Sequence, residues 1–185
     1  MNRLKKLTKK EKYLLCAYLG NFVIFILLYF LFSKEMRALF FVTGFILLNI
    51  FVSSYKKNID FPVEIEVLTL GIILCTYSYG IKAGLFVAIL GSVLSSIIYG
   101  YISPFMLPMI LGYILVAIVT PLSQVFNLTL AGIIITLVKN IFLFLFYHFV
   151  FSYHLGKNIS FSVSNIVLNT LLFFNIAPFL ISIMN

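Results

Sequence analysis

The chain predicts an all-α, polytopic transmembrane helix bundle of six or seven spans, and three observations carry that expectation. First, the sequence is 63% hydrophobic and only 10% charged over 185 residues, which is too apolar for a soluble domain of that size. Second, apolar runs of spanning length recur from end to end. Third, the net charge of +8 comes from basic residues that flank those runs instead of forming one face. Such flanking reads as membrane topology, not nucleic-acid affinity.

The order along the chain follows from these runs. Residues 1–12 form a basic segment with Arg3, Lys5, Lys6, Lys9, Lys10 and Lys12, which predicts a cytoplasmic N-terminus and attraction to anionic lipid. The remainder, 13–185, reads as a single transmembrane domain. Span 1 covers about Tyr13–Phe32 and is too long, and lacks the small-residue cleavage site, to be a secretory signal. Span 2 covers about Ala38–Ser54 and contains Asn49. A loop with Lys56, Lys57 and Asp60 follows. Span 3 opens at Pro62, a residue suited to a first helical turn, and runs to Tyr79.

Span 4 is expected to be the hub. Small residues occupy Gly80, Gly84, Ala88, Ser92, Ser96 and Gly100, every fourth position. In lipid, close backbone approach through small residues is what draws helices together. Each step of four turns an ideal helix by ~400°, so the row drifts by ~40° per step, and two or three neighbours must share it. A second row, Gly84, Ala88, Gly91 and Ser95, has the 4-3-4 spacing of a left-handed seam. Two readings stand for the row: packing alone, or packing with thin walls that also leave room for a cavity or for sliding.

Span 5 contains Pro104, Pro108 and Pro121. If the helix begins at Pro104, Pro108 removes an internal hydrogen bond. If it begins at Pro108, its length is ~20 Å, short of the ~30 Å hydrocarbon core. The alternatives are a kinked span and a half-helix with an irregular lead-in, the latter a feature of transporter binding sites. Span 6 covers about Asn127–Phe151. Span 7 covers about Ser160–Met184, kinked near Pro178. Seven spans place nine Lys/Arg on the cytoplasmic side and three (Lys34, Arg37, Lys82) outside. The expected location is therefore the cell membrane, multi-pass.

The candidate binding residues are the polar groups these spans would hold in lipid. Lys139 falls ~18 Å into span 6, and a charge at that depth costs ~2.5–3.5 kcal/mol on insertion scales. It needs a partner, and Glu66 is the one acid clearly inside a span. Either Glu64 and Glu66 are first-turn acids satisfied by the helix dipole at the interface, or Glu66 pairs with Lys139 across a cavity, or Lys139 is left free to meet an anionic ligand. Asn140 adjoins Lys139. Ser162, Asn165 and Asn169 share one face of span 7, as interhelical glue or as ligand contacts. Tyr77, Tyr79, Tyr99, Tyr101 and Tyr113 either line a pocket or anchor at the interface. His148 reads as structural. Cys16 and Cys75 read as apolar fillers with no metal or disulfide spacing. No nucleophile elbow, metal-ligand motif, paired-acid motif or phosphate loop is present, so neither an enzyme nor a cofactor or metal site is expected.

The segment Pro62–Pro121 resembles the membrane-embedded substrate-binding (S) components of energy-coupling-factor (ECF) transporters. The residues that carry the resemblance are Val63-Glu64-Ile65-Glu66, the glycine-flanked turn Tyr79-Gly80-Ile81-Lys82-Ala83-Gly84, the helix end Leu94-Ser95-Ser96-Ile97-Ile98-Tyr99-Gly100, and a proline-led next span with Gly112. The resemblance implies capture of a vitamin-like compound or metal ion, with handover through a transmembrane coupling subunit and ATPases. Lys139, Asn140, Asn165, Asn169 and Glu66 would then line the cavity. In size and texture the chain is also similar to the rod-shape-determining, MreD-like membrane family, which implies a non-transporting scaffold of the cell envelope.

Overall fold

The computed structural model describes Tyr18 and residues 20–25, 33–54, 65–100 and 102–185. The basic segment 1–12, Cys16, the loop cations Lys56 and Lys57, Pro62, Glu64 and Tyr101 lie outside the described residues. The chain divides into two compact units, 1–37 and 38–185. In the first, residues 20–25 are helical. Ser33 starts the next helix by accepting the Met36 N–H on Oγ at 3.4 Å.

The described helices are α1 (Lys34–Ser53), α2 (Leu68–Tyr79), α3 (Ile81–Tyr99), α4 (Met106–Val119) with a 3-10 turn over Thr120–Ser123, α5 (Leu128–Phe151), α6 (Leu155–Asn175) and α7 (Ala177–Met184). Four of these, α1, α3, α4 with its 3-10 turn, and α5, are long and apolar enough to cross a membrane. The bent pair α6–α7 makes up to five. Their outward residues are large and apolar, among them Phe51, Phe86, Ile118, Phe149 and Phe174, as a lipid-facing surface requires.

The hub is not the small-residue helix. It is α2, in which ten of twelve residues are buried and which meets α3, α4, α5, α6 and α7. α3 buries one stripe, Gly84, Val87, Ala88, Gly91, Ser92, Ser95 and Ser96, and turns Phe86, Ile89, Leu94 and Ile97 outward. A helix that short on polar groups yet enclosed on all sides must be a core element. The twelve residues of α2 leave no exposed face for lipid.

Gly80 and Gly100 belong to the helix ends, not to the packing row, which corrects the sequence expectation for both. Neither has another atom within 4 Å of where a Cβ would sit, and both have positive φ, +89° and +72°. Gly80 is the one-residue link between α2 and α3, and its N–H donates to Thr76 O at 2.9 Å. Gly100 caps α3 in the left-handed conformation and returns its N–H to Ile97 O and Ser96 O, the usual way to close a helix end. The true contact glycines are Gly84, against Thr76, and Gly91, against Leu68. These pairs fix α2 and α3 as an antiparallel hairpin. Gly100→Ala is expected to lower stability by about 1 kcal/mol, since an L residue there adopts a left-handed backbone. Gly44→Ala, at an exposed helical site with open space, is expected to raise stability by about 0.5–1 kcal/mol. Thermal unfolding in detergent checks both.

The same antiparallel logic continues. Gly112 faces Leu143 and Phe105 meets Tyr147 edge to face, pairing α4 with α5. Gly132 lies under the Phe173 ring while Asn158 reaches Phe144, pairing α5 with α6. Asn127 starts α5 by accepting the Leu130 N–H at 2.8 Å, a side-chain cap. The α5–α6 link is only Ser152–His154. Consequently α6 begins at Leu155, not near Ser160, and Asn158 is helical and buried rather than in a loop.

Span 5 is neither of the two forms the prolines suggested. α4 starts at Met106, so Pro108 sits in the first turn, where a missing N–H is harmless. The carbonyl of Pro104, its partner in a longer helix, accepts the Leu107 N–H instead. Pro121 does not end the segment either. The 3-10 turn carries it to Ser123, for 18 residues in all, so it is no half-helix. In α6–α7 the axis bends by 54° at Ile176, two residues ahead of Pro178, whose ring cannot pack against the Phe174 carbonyl.

Candidate functional site

Irregular backbone at depth does occur, but at the start of α2. Ile65, Glu66 and Val67 precede the helix in non-helical conformation, and Glu66 is 1% exposed. Glu66 is therefore neither one turn into a helix nor at a wetted interface, which corrects the interfacial reading. Its position is dictated by α5. The inward stripe of that helix is Ala131, Gly132, Ile135, Thr136, Lys139 and Asn140, a 3.6-residue repeat. The stripe delivers Lys139, at mid-helix and 2% exposed, onto the Glu66 carboxylate.

Lys139 Nζ donates to Glu66 Oε1 at 2.5 Å and to Thr69 Oγ1 at 2.8 Å. It also lies 5.1 Å from the Tyr113 ring centroid, within cation–π range. Glu66 collects further donors: Thr69 Oγ1 and Tyr113 Oη, each in a short hydrogen bond, and Asn165 Nδ2 at 3.2 Å. Four elements, the α2 start, α4, α5 and α6, thus converge on one carboxylate. A buried ion pair is tolerated only when its lone pairs and protons are satisfied, and here both partners are.

An amide ladder extends the cluster. Asn140 Nδ2 donates to Asn165 Oδ1 at 2.9 Å and to Thr136 O at 2.8 Å. Asn169 stands behind Asn165 and donates to its backbone O at 3.0 Å. Asn169 does not border the cavity described next, which corrects its place in the expected lining.

The cluster forms the floor of a cavity of about 370 Å³, at the small end of the range for organic ligands. Glu66, Lys139, Asn140 and Asn165 line it. α3 contributes Ser92, Ser95 and Ser96, and α1 contributes Asn49 and Ser53. Asn158 and Ser162 come from α6, and Tyr99, Tyr113, Tyr147 and Tyr153 from α3, α4, α5 and the α5–α6 turn. Leu68, Met106, Met109, Leu143 and Phe161 supply apolar wall. The lining residues lie toward one end of the bundle, where α1, α3 and α5 finish and α2, α4 and α6 begin. Exposed Ser103 and Phe105 mark its mouth.

Tyr77 and Tyr79 are elsewhere. They tie the opposite end together through Ser123 O and Met184 O. His148 stacks on Phe144 with ring centroids 6.1 Å apart and is not among the residues that line this cavity. Cys75 is buried in α2. Asn158 and Thr69 were not singled out by the sequence. Asn158 sits in a sequon close to a cation and reads as loop. The signal that could have found it is its i, i+7, i+11 register with Asn165 and Asn169.

Fold and site together define a class: an all-helical protein with several membrane-compatible helices around a partly open, largely apolar cavity that is floored by a buried ion pair. Comparison with protein-family models, curated proteins and solved structures returns no match.

Proposed function

We propose that the chain is an integral membrane subunit that binds a small molecule, in the manner of the ECF S components it resembles in part, and works with a transmembrane coupling subunit and ATPases. The observation that supports this most is the cavity: about 370 Å³ of space toward one end of the bundle, bordered by an ion pair, four amides and three serines from one helix. Scaffolds gain nothing from burying such groups around empty space, whereas binding sites require convergent polar groups in an apolar setting. Among the described residues no three of His, Cys, Asp and Glu converge, so an organic molecule is favoured over a metal ion.

The proposed topology has seven spans. These are the first hydrophobic run, α1, α2 with the residues before it, α3, α4, α5 and the bent α6–α7 pair. α1 ends and α2 begins at the end that carries the cavity mouth, so we assign Lys56 and Lys57, which lie between them in sequence, to that end with Lys157 of the first turn of α6, and Lys82 to the other. The positive-inside rule makes the mouth end cytoplasmic, together with the N-terminus. The cavity is then open to the cytoplasm, the state from which an imported ligand is released.

One observation favours the scaffold reading: the ion pair is fully satisfied without a ligand. The two are separated by thermal unfolding of the detergent-solubilised protein against a panel of vitamins and metal ions. Binding at 100 times Kd stabilises by about 2.7 kcal/mol, a shift of several degrees. A panel that leaves the melting temperature unmoved, with envelope proteins co-purifying, establishes the scaffold instead.

A further inference from the structure

Most fixed donors around the cavity are already spent on the protein itself. Asn49 Nδ2 donates to Gly91 O at 3.3 Å, Asn140 Nδ2 to Thr136 O at 2.8 Å, and Asn158 Nδ2 to Phe144 O at 3.0 Å. All three partners are backbone carbonyls, which only accept. That fixes the amide orientations, because a flipped amide would set two oxygens face to face. The α3 serines do likewise: Ser92 donates to Ala88 O at 2.6 Å, and Ser95 and Ser96 donate to Ser92 O at 3.1 and 2.8 Å.

What these six side chains leave over is mainly acceptor capacity, in amide carbonyl oxygens and serine lone pairs. Asn49 and Asn158 each keep one N–H, while Tyr113 and Tyr147 already donate their hydroxyl protons to Glu66 and to Phe105 O. Lys139 offers an anion little, since Glu66 and Thr69 hold it. Aromatic faces from Tyr99, Phe105 and Phe161 line the way in. Such faces attract cations.

We propose that the cavity takes a small organic amine, with its N–H groups on the asparagine and serine oxygens and its apolar part against Met109 and Leu143. A carboxylate or phosphate of equal size would bring lone pairs to a wall of lone pairs, and one of the two would be left buried and unpaired. This ligand class rests on the binding reading above.

The test keeps the skeleton constant and changes the polar head. The full-length protein in detergent is melted with 2-phenylethylamine, 2-phenylethanol and phenylacetate in turn, over a concentration series. The expected result is a rise in melting temperature with the amine, a smaller one with the alcohol and none with the acid. Ser95→Ala/Ser96→Ala, which removes two acceptors whose hydrogen bonds are local to α3, is expected to weaken the amine response about tenfold in apparent Kd, the effect of one 1.4 kcal/mol step. Equal or greater stabilisation by phenylacetate overturns the amine assignment and leaves the binding reading intact. So does silence from all three probes alongside a hit in the vitamin panel. Silence in both screens overturns the two together.

Discussion

Lys139→Met is expected to destabilise the protein by about 3–5 kcal/mol, because it leaves the Glu66 carboxylate charged and without its counterion in the interior. Solvent reaches the charge poorly, since Glu66 and Lys139 are 1% and 2% exposed even where they border the cavity. Glu66→Gln should cost less than Lys139→Met, since an amide oxygen in the place of Oε1 still accepts from Thr69 and Lys139 and the amide N–H in the place of Oε2 can donate to the Tyr113 hydroxyl, although the ammonium then lacks a counterion. The double variant Lys139→Met/Glu66→Gln should recover most of the loss. A fully paired site and a fully neutral one are both viable, and only the half-charged ones are poor. Unfolding in detergent, run as a double-mutant cycle, measures the coupling. Near wild-type stability for Lys139→Met would show that the pair does not form.

The sequence made Lys139 conspicuous because a lysine twelve residues into an apolar run has a cost that composition alone reveals. It made Glu66 the sole plausible partner by elimination among five acids. The register of Asn140, Asn165 and Asn169 was legible for the same reason: helical periodicity places amides on one face. What the sequence hid was where backbone irregularity falls. Pro104 and Pro108 drew attention to α4, yet a proline in a first turn leaves no defect. The real interruption at Ile65–Val67 has no glycine or proline of its own, and it persists because Glu66 is held by side chains of α4, α5 and α6 that lie 47 to 99 residues away. No local pattern encodes such an anchor.

The hub was misplaced for a related reason. A small-residue row is visible in α3 because glycine and serine stand out among leucines. α2, by contrast, is Leu68-Thr-Leu-Gly-Ile-Ile-Leu-Cys-Thr-Tyr-Ser-Tyr79, a sequence equally suited to lipid or to a core. Lipid and protein interior are alike in polarity, so hydropathy does not distinguish a helix that faces one from a helix enclosed by the other. Close packing decides it: Gly71 admits the Phe45 ring, Gly84 and Gly91 admit Thr76 and Leu68, and the surrounding helices close over α2.

Asn165→Leu is the second large effect expected, about 2–3 kcal/mol, and its comparison with Asn169→Leu tests the order of the amide ladder. Asn165 is the junction. Its Nδ2 serves the Glu66 carboxylate, and its Oδ1 accepts from Asn140 and, at 3.4 Å, from Asn169. Leucine has the same branching and a somewhat larger volume, but it withdraws a donor from a buried anion and an acceptor from its neighbours, and a buried polar group left unmade costs about 1–3 kcal/mol. Asn169 is the terminus. Its Oδ1 is already buried with no hydrogen bond among the described residues. Asn169→Leu therefore removes one unsatisfied oxygen along with the bonds to Asn165, and the net change should stay within about 1 kcal/mol of zero. The two substitutions are alike in chemistry and separated by one helical turn, so helix propensity and membrane insertion shift equally in both. If Asn169→Leu proves the more damaging, the ladder is anchored from the far end, and Asn165 is not what holds Glu66 in place.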